Sequence, residues 1–322
     1  MWRAPGDGWI TCEQGHRHWG THGAAGLLIT RVTSSGTREL MLQHRAAWTH
    51  QGDTWGLPGG ARRPEESAEQ AALREAGEEI GLPAGAVRTS AVSTDHHGGW
   101  SYTTVVAQVR PRFAGESSGD DIVGLVDLAA AHSAHETADV AWVAVAEVDA
   151  MPLHPGFRAT WPQVAITLEP PTLLVDAANV VGSRPDGWWR DRVGAHRTLL
   201  GRLRALAATG VARTEAPWRA PEMLEVWYPR IVVVLEGQAA RGLTAEETVG
   251  LGPSVEVVRA VRSGASGTGD DLLFDQAVAI GRSAVAVTAD RELRRRLESV
   301  AVGSVGPRWL WDLIDDHSTS RR

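Results

Sequence analysis

Short apolar segments alternate with polar turns through the first half of the chain. This pattern predicts strands rather than long helices, because each apolar run is brief. The predicted strands cover residues 25–31, 39–43, 103–109 and 140–145, with a turn at 33–37. One helix is predicted from residue 65 to 80 and a second within 157–168.

The second half shows a different pattern, in which buried strands alternate with helical segments. Strands are predicted at residues 172–175, 231–235, 255–258 and 284–288, and helices at 191–208, 271–281 and 291–299. This alternation indicates a parallel sheet with helices on both faces. Pro170 and Pro171 interrupt any helix between the halves. We therefore predict an α/β protein with one domain at 1–168, a linker at 169–171 and a second domain at 172–322.

Composition narrows the class of protein. The chain has 322 residues, enough for two domains, and 43% of them are hydrophobic. Its single cysteine, Cys12, excludes an internal disulfide and suits a reducing cytoplasm. No secretory signal or apolar run of about 20 residues is present, so we expect a cytoplasmic protein without a membrane partner.

All basic residues are arginines, which is typical of a GC-rich bacterial genome. The lack of lysine excludes Schiff-base chemistry and P-loop ATP hydrolysis. Residues 1–171 hold 12 arginines against 20 acids, a net charge of −8, whereas residues 172–322 hold 20 against 19, a net charge of +1. The acidic first half suits a metal-dependent enzyme, and the second half is not basic enough to indicate nucleic-acid binding by charge alone.

The most informative segment runs from Gly60 to Leu82. Its helical part contains no proline between residues 65 and 80, and Gly81 is a typical helix C-cap. Glu75, Glu78 and Glu79 lie at positions i, i+3 and i+4, so one helix face carries three carboxylates. Such a cluster favours a hard divalent cation, Mg²⁺ or Mn²⁺, which can hold a diphosphate and activate a water molecule. The simpler interpretation is a solvated acidic face.

The order of fixed residues in this segment carries a family resemblance. A glycine, five residues, Glu66, seven residues and then Arg74-Glu75-Ala76-x-Glu78-Glu79-x-Gly81-Leu82 form a complete Nudix box. The first half therefore resembles Nudix hydrolases. The resemblance implies an α/β/α sandwich and a Mg²⁺-dependent pyrophosphohydrolase. It implies that Glu75, Glu78, Glu79 and the carbonyl of Gly59 hold the metal.

The same resemblance implies further site residues. Glu136, which precedes Trp142, is the predicted distal catalytic acid, with Asp139 and Glu147 as alternatives. Arg45, Arg62 and Arg63 are predicted phosphate contacts, because guanidinium groups match phosphate oxygens, although each is also interpretable as a surface arginine. The implied partner is a nucleotide substrate: a nucleoside triphosphate, an oxidised one such as 8-oxo-dGTP, a dinucleotide or a nucleotide sugar. A ligand sensor is the alternative, which the intact box disfavours.

Polar residues follow the predicted strands of the second half. In a parallel sheet these residues meet at one edge, where they predict a second Mg²⁺ or Mn²⁺ site. The residues concerned are Asp176, Asn179, Glu236, Asp270, Asp271 and Asp290. Their short motifs resemble the PIN-like NYN nucleases, which implies a metal-dependent ribonuclease with RNA as partner. The alternatives are helix capping by the aspartates and a nucleotide- or RNA-binding domain without catalysis.

Three smaller features of the sequence each allow two interpretations. Trp188 and Trp189 suit either base stacking or core packing, and the arginines of 190–204 and 291–296 suit either a phosphate backbone or a solvated helix face. Zinc binding by the residues between positions 12 and 22 is a minor alternative to a loop with scattered histidines. The residues of that set are Cys12, His16, His18 and His22. The oligomeric state is open, with a homodimer as one option.

Overall fold

The computed structural model describes residues 5–110, 126–127, 129, 134–249, 254–260 and 268–319. The chain forms two compact units. The first contains Met1–Leu168 together with Pro221–Val226, and the second contains Glu169–Ala220 and Trp227–Arg322. The sequence pattern predicts the division near residue 168, but it does not predict that a short later segment returns to the first unit.

Among the described residues of Met1–Leu168, the first unit contains nine strands and two α-helices. The strands are β1 (Trp9–Thr11), β2 (Arg17–Trp19), β3 (Ala24–Val32), β4 (Arg38–Arg45), β5 (Trp55–Gly56), β6 (Gly59–Ala61), β7 (Val87–His96), β8 (Ser101–Val109) and β9 (Thr137–Ala144). The helices are α1 (Ala68–Ile80) and α2 (Pro155–Val164). Short 3-10 turns cover Ala134–Glu136, Val145–Ala150 and Ala165–Leu168.

The remaining elements follow from residue 172 onward. The strands are β10 (Thr172–Asp176), β11 (Val211–Ala212), β12 (Leu224–Trp227), β13 (Arg230–Leu235), β14 (Val255–Arg259), β15 (Ala284–Val287) and β16 (Gly303–Val305). The helices are α3 (Ala177–Gly182), α4 (Arg192–Thr209), α5 (Gly237–Gly242), α6 (Ala245–Val249), α7 (Gly269–Ile280), α8 (Arg291–Ser299) and α9 (Pro307–Thr319). A 3-10 turn covers Gly281–Ser283. Among the described residues, no helix combines the length and the apolar character needed to cross a bilayer.

A mixed sheet forms the centre of the first unit. Its strand order is β12-β7-β8-β3-β4-β5, with β6 beside β3 and β9 beside β4. β3 and β8 are parallel, whereas β7 with β8, β3 with β4 and β4 with β9 are antiparallel. β1 and β2 form a separate antiparallel hairpin. β3 is buried along most of its length, because it lies inside the sheet and α1 packs against it.

Helix α1 ends where its sequence predicts and begins three residues later than predicted, at a strong N-cap. The Ser67 side chain accepts the Gln70 N–H while the Gln70 side chain accepts the Ser67 N–H, a capping box that satisfies two free amides. Gly81 ends the helix in the left-handed region, at φ 66°, which glycine adopts at little cost. Small buried residues, Ala71, Ala72 and Ala76, allow the helix to approach the sheet closely.

The second unit is a parallel sheet with strand order β14-β13-β10-β15-β16. Alternate residues of the central strands enter two different cores, as shown by Leu173 and Leu174 of β10. One core contains residues of α3, α4, α5 and α9, and the other contains residues of α7 and α8. The predicted parallel sheet with two covered faces is therefore confirmed.

Candidate functional site

The three box glutamates lie on α1 in different environments. Glu79 is 5% exposed, and its Oε2 accepts the backbone N–H of Gly59 across 2.8 Å. Burial raises the pKa of Glu79 to about 8, and the bond from Gly59 opposes that shift only in part. Glu75 and Glu78 are half-buried on the same helix, and burial also raises the pKa of Glu75.

Arg74 connects the glutamates to the loop before the helix. Its Nε and Nη2 donate to the two carboxylate oxygens of Glu66 across 2.7 and 2.9 Å, a bidentate pair. Its Nη1 donates to Glu75 across 2.7 Å and to Glu78 across 3.3 Å. The guanidinium of Arg74 lowers the pKa of Glu66. One arginine thus holds Glu66 ionised and draws two box carboxylates together.

Gly60 allows Glu75 to approach the backbone of β6. A Cβ atom at residue 60 would lie 2.7 Å from the carboxyl carbon of Glu75. The neighbouring Gly59 faces β3 instead, where a Cβ would lie 2.4 Å from the carbonyl oxygen of Ala25. Both glycines therefore serve close packing, one of the carboxylate and the other of the sheet.

Arg45 and Glu136 lie near Glu79. Both act on the pKa of Glu79, which Arg45 lowers and Glu136 raises through their charges. The backbone carbonyl of Glu136 accepts the Ala46 N–H across 2.9 Å, which fixes this turn at the end of β4. The two alternative distal acids have other surroundings. Asp139 Oδ1 accepts the N–H of its neighbour Val140, and Glu147 is exposed beyond the far end of β9. Geometry favours Glu136 over both.

The two arginines of the loop before α1 have different surroundings. Arg62 Nη2 donates to the carbonyl of Glu66 across 3.0 Å, so this arginine orders its own loop. Arg63 Nη2 lies 3.7 Å from Glu78, and its backbone N–H donates to Glu66. Of this pair, Arg63 is the one whose guanidinium borders the box carboxylates.

Two residues near the site carry no motif in the sequence. Tyr102 of β8 lies over Gly26, where a Cβ would lie 2.1 Å from the tyrosine hydroxyl, and burial followed by the charge of Glu79 raises the tyrosine pKa. His154 caps α2, and burial together with Arg45 lowers its pKa to about 4. Tyr102 could have been singled out as a large polar residue in an apolar strand, whereas His154 gives no such signal.

These side chains fit a hard divalent cation. The donor set is entirely oxygen: the carboxylates of Glu75, Glu78 and Glu79, with Glu136 nearby. Glu79 is buried with one N–H donor, an arrangement that a cation would complete. Gly59 donates its N–H to Glu79. The Nudix resemblance implies a different atom of the same residue, the carbonyl oxygen, as a metal ligand.

The second unit brings acids together at one sheet edge. β10 lies between β13 and β15, so Asp176 at its end is close to Glu236 and to the segment after β15. Burial raises the pKa of Asp176, and Asp270 and Glu236 raise it further. Burial and the charges of Asp290 and Glu236 likewise raise the pKa of Asp270. The predicted acidic cluster therefore contains these four residues.

Two aspartates of this acidic cluster, Asp176 and Asp290, also cap helices. Asp176 Oδ1 accepts the Asn179 N–H across 3.0 Å, and its Oδ2 accepts the Thr288 hydroxyl across 2.9 Å. Asp290 caps α8 through Leu293 N–H, and Asn179 Oδ1 accepts the N–H of Ala289.

Asp271 departs from the cluster prediction. It completes a capping box with Thr268 and pairs with Arg296 across 3.0 Å. The Thr268 backbone N–H and hydroxyl and the Arg296 guanidinium lower the pKa of Asp271. These contacts occupy the carboxylate, so its predicted place among the metal ligands is not supported by its surroundings.

The aromatic pair of the second unit divides between two roles. Trp188 packs against the core and Trp189 is 53% exposed. In the arginine groups, several side chains pair with acids or ring faces: Arg192 lies over Trp188, Arg197 pairs with Glu247, Arg202 with Asp315 and Arg295 with Glu292. These contacts resemble an ordinary helix surface more than a phosphate track.

The cysteine–histidine group in the structure differs by one residue from the group expected from the sequence. Cys12, His16 and His18 lie with His97, and the ligand atoms of the four residues are within 4.8 Å of one another. His22 is exposed and is not in the group, so the prediction that included it is wrong in that member. His97 is 79 positions from His18, and no local spacing could have identified it.

Comparison with known proteins places the first unit in a family. The NUDIX domain model matches residues 20–163. A protein of Mycobacterium tuberculosis named "Putative 8-oxo-dGTP diphosphatase 3" is 46% identical over 165 residues, 49% of this chain and 69% of that protein. A "Nucleoside triphosphate pyrophosphatase/Nudix hydrolase fusion protein" of Bifidobacterium longum is 35% identical over 167 residues, 51% of this chain and 32% of that protein.

Among solved structures, the Nudix hydrolase RenU of M. smegmatis is 42% identical, with a TM-score of 0.40, and the match covers 50% of this chain and 94% of that one. The extent and identity of the first mycobacterial match, together with the domain match, establish the family. The chain belongs to the Nudix hydrolase family.

Proposed function

We propose that the first unit is a Mg²⁺-dependent diphosphatase that cleaves a phosphoric anhydride in a nucleoside diphosphate-linked substrate. The observation that carries the proposal is the buried Glu79 carboxylate, bonded to Gly59 N–H beside Glu75 and Glu78. Burying a carboxyl group so deeply costs stability unless a cation or a proton neutralises it. A role as a metal ligand explains why the chain tolerates the stability cost of burying Glu79.

The roles of the residues follow from their positions. Glu75, Glu78 and Glu79 would hold Mg²⁺, which when bound neutralises phosphate charge and lowers the pKa of a coordinated water. Arg74 fixes Glu75 and Glu78 in place. Glu136, whose charge acts on Glu79, would be the base that removes a proton from the attacking water. Arg45 and Arg63 supply positive charge for the phosphate oxygens.

For the substrate, we propose an oxidised nucleoside triphosphate such as 8-oxo-dGTP. The support is the name of the mycobacterial relative, which is 46% identical to this chain over 165 residues. The metal site itself binds only the diphosphate, so it does not distinguish this substrate from an unmodified nucleoside triphosphate, a dinucleotide or a nucleotide sugar.

A nucleotide panel with Mg²⁺, read by phosphate and pyrophosphate release, tests the proposal. Wild-type protein should hydrolyse 8-oxo-dGTP with a higher kcat/KM than dGTP. Glu79→Gln and Glu136→Gln should each lower kcat by at least about 100-fold. Glu147→Gln, at an exposed acid away from the site, should retain the wild-type rate. Full activity of Glu79→Gln would refute the metal role, and equal use of dGTP would refute the substrate.

We propose a second activity, metal-dependent ribonuclease, for the acidic edge of the second unit. The supporting observation is that burial and the charges of Asp270 and Glu236 raise the pKa of Asp176, while burial and the charges of Asp290 and Glu236 raise that of Asp270. This pattern indicates shared negative charge that Mg²⁺ or Mn²⁺ would relieve. Gly269 contributes to this edge, since its N–H donates to Glu236 Oε2 across 3.1 Å.

Full-length protein carrying Glu79→Gln, incubated with labelled RNA and Mn²⁺, tests this activity without nucleotide hydrolysis. Cleavage should disappear in Asp176→Asn and persist in Asp271→Asn, because Asp271 faces Arg296. Binding without cleavage would instead support a nucleotide- or RNA-binding domain. Cleavage unaffected by Asp176→Asn would contradict the site.

A further inference from the structure

A compact group of one cysteine and three histidines lies in the first unit, separate from the carboxylates of α1. Cys12 directly follows β1 and His16 directly precedes β2. His18 lies within β2, and His97 directly follows β7. Their ligand atoms all lie within 4.8 Å of one another. Zn²⁺ bound by one sulfur and three nitrogens needs ligand atoms about 3.5 Å apart, so only a small closure is required.

The hydrogen bonds of the group leave the necessary atoms available. Within the described part of the chain, Nε2 of His18 and Nδ1 of His97 are buried without a hydrogen-bond partner. Buried polar atoms are normally paired, so two unpaired imidazole nitrogens in one group require an explanation. A metal ion that both nitrogens coordinate would provide it.

The orientation of His97 fits metal coordination in a second respect. Its Nε2 lies 2.9 Å from Oδ2 of Asp95, so the carboxylate holds the proton on that nitrogen. The lone pair is then on Nδ1, the buried nitrogen without a hydrogen-bond partner. A carboxylate behind a metal-bound histidine is a frequent arrangement in zinc proteins.

The backbone around the group is tightly organised. Cys12 N–H donates to the His16 carbonyl across 2.9 Å, which closes the turn that brings the thiol near both hairpin histidines. Glu13 N–H donates to the Gly98 carbonyl across 3.0 Å, which joins the hairpin to the β7–β8 turn. Trp100 stacks on His18 with a centroid distance of 3.9 Å and covers one side of the group.

We propose that Cys12, His16, His18 and His97 form a structural Zn²⁺ site that fastens the β1–β2 hairpin to the β7–β8 turn. Four protein ligands leave no open coordination position, so the site is closed to substrate. Mixed thiolate and imidazole ligands favour Zn²⁺ over Mg²⁺, which prefers oxygen. The site is therefore chemically distinct from the glutamates of α1.

Cobalt substitution provides a direct test, because the chain has one cysteine. Full-length protein stripped with chelator and titrated with Co²⁺ should develop a thiolate-to-cobalt charge-transfer band and a tetrahedral visible spectrum. Only Cys12 can give that band. Its absence in folded wild-type protein would overturn the proposal, whether or not any Cys12 variant folds.

Metal content of purified variants supplies the second measurement. Wild-type protein should contain one zinc per chain, and Cys12→Ser and His97→Gln should lose it. Asp95→Asn should bind zinc about 10–100-fold more weakly, as expected of a residue that positions a ligand. His22→Gln, His96→Gln and Glu78→Gln should keep the metal, since none belongs to the group. Zinc retained in both Cys12→Ser and His97→Gln, or lost in Glu78→Gln, would contradict the assignment.

Discussion

The backbone N–H of Gly59 donates a hydrogen bond to Oε2 of Glu79 across 2.8 Å. This bond joins the start of β6 to the last turn of α1, so the position of the buried carboxylate depends on the turn that precedes the box. Because Glu79 accepts a backbone donor, a substitution that retains an acceptor oxygen keeps the contact while it removes the charge.

Glu79→Gln should stabilise the metal-free protein at alkaline pH. Glu79 has a pKa of about 8 when folded against an ordinary 4.5, so between these values the unfolded chain binds fewer protons and stability falls as pH rises. Glutamine removes this dependence. Thermal unfolding with chelator should show a gain of about 1–3 kcal/mol for the variant at pH 8 and little gain at pH 4.5. The same gain at both pH values would contradict the burial argument.

Gly60→Ala should reduce diphosphatase activity more than stability. The added methyl would lie 2.7 Å from the Glu75 carboxyl carbon and displace that side chain. We expect kcat to fall about 10–100-fold. Gly77→Ala is the matched control on α1, where the new methyl meets nothing closer than 3.8 Å. That control should keep its rate and gain up to about 1 kcal/mol of stability. Equal rates for the two variants would argue against the role of Gly60.

Arg74→Met should destabilise the first unit by about 2–4 kcal/mol, because it leaves Glu66 and Glu75, whose side chains are 12% and 16% exposed, without their cation. Urea unfolding measures the loss. Arg308→Met is the comparison, since Arg308 is 93% exposed and its pair with Asp312 should contribute less than about 1 kcal/mol. A similar effect of both substitutions would show that burial does not govern the Arg74 contacts.

His154→Asn should flatten the acid side of the stability profile. His154 has a pKa of about 4 when folded, lowered from 6.5 by burial, Arg45 and His50. Between pH 6.5 and 4 the unfolded chain binds more protons, so wild-type stability falls as the pH falls. Asparagine can keep the N-cap of α2 without this titration. Unfolding temperatures measured from pH 7 to pH 4 should decline less in the variant, and parallel curves would disprove the burial of His154.

The sequence predicted best those helices whose ends carry clear capping residues. The box helix ends at Ile80 before Gly81 as expected, although it begins at Ala68 rather than residue 65, because Ser67 is a strong N-cap. In the second unit, α7 begins at Gly269, two residues before the predicted start, since Thr268 provides the cap. Strand β7 was not predicted, because its polar residues conceal its place inside the sheet.

Long-range neighbours were harder to predict than elements. Glu136 could be placed near Glu79 only by analogy, and the structure supplies the reason in the pairing of β9 with β4. His97 joins Cys12 through the β7–β8 turn, a relationship that no spacing in the sequence shows. Asp271 looked like its neighbour Asp270, yet the capping box at Thr268 turns it toward Arg296.

The segment Pro221–Val226 groups with the first unit although the chain on either side of it belongs to the second. Its Met223 carbonyl accepts the Thr94 N–H across 2.8 Å, and β12 lies next to β7 in the sheet. A protein truncated after residue 168 would expose the hydrogen-bonding edge of β7, a surface prone to self-association. Independent expression of the two halves is thus a poor way to separate their chemistries, and point substitution in the intact polypeptide is the better dissection.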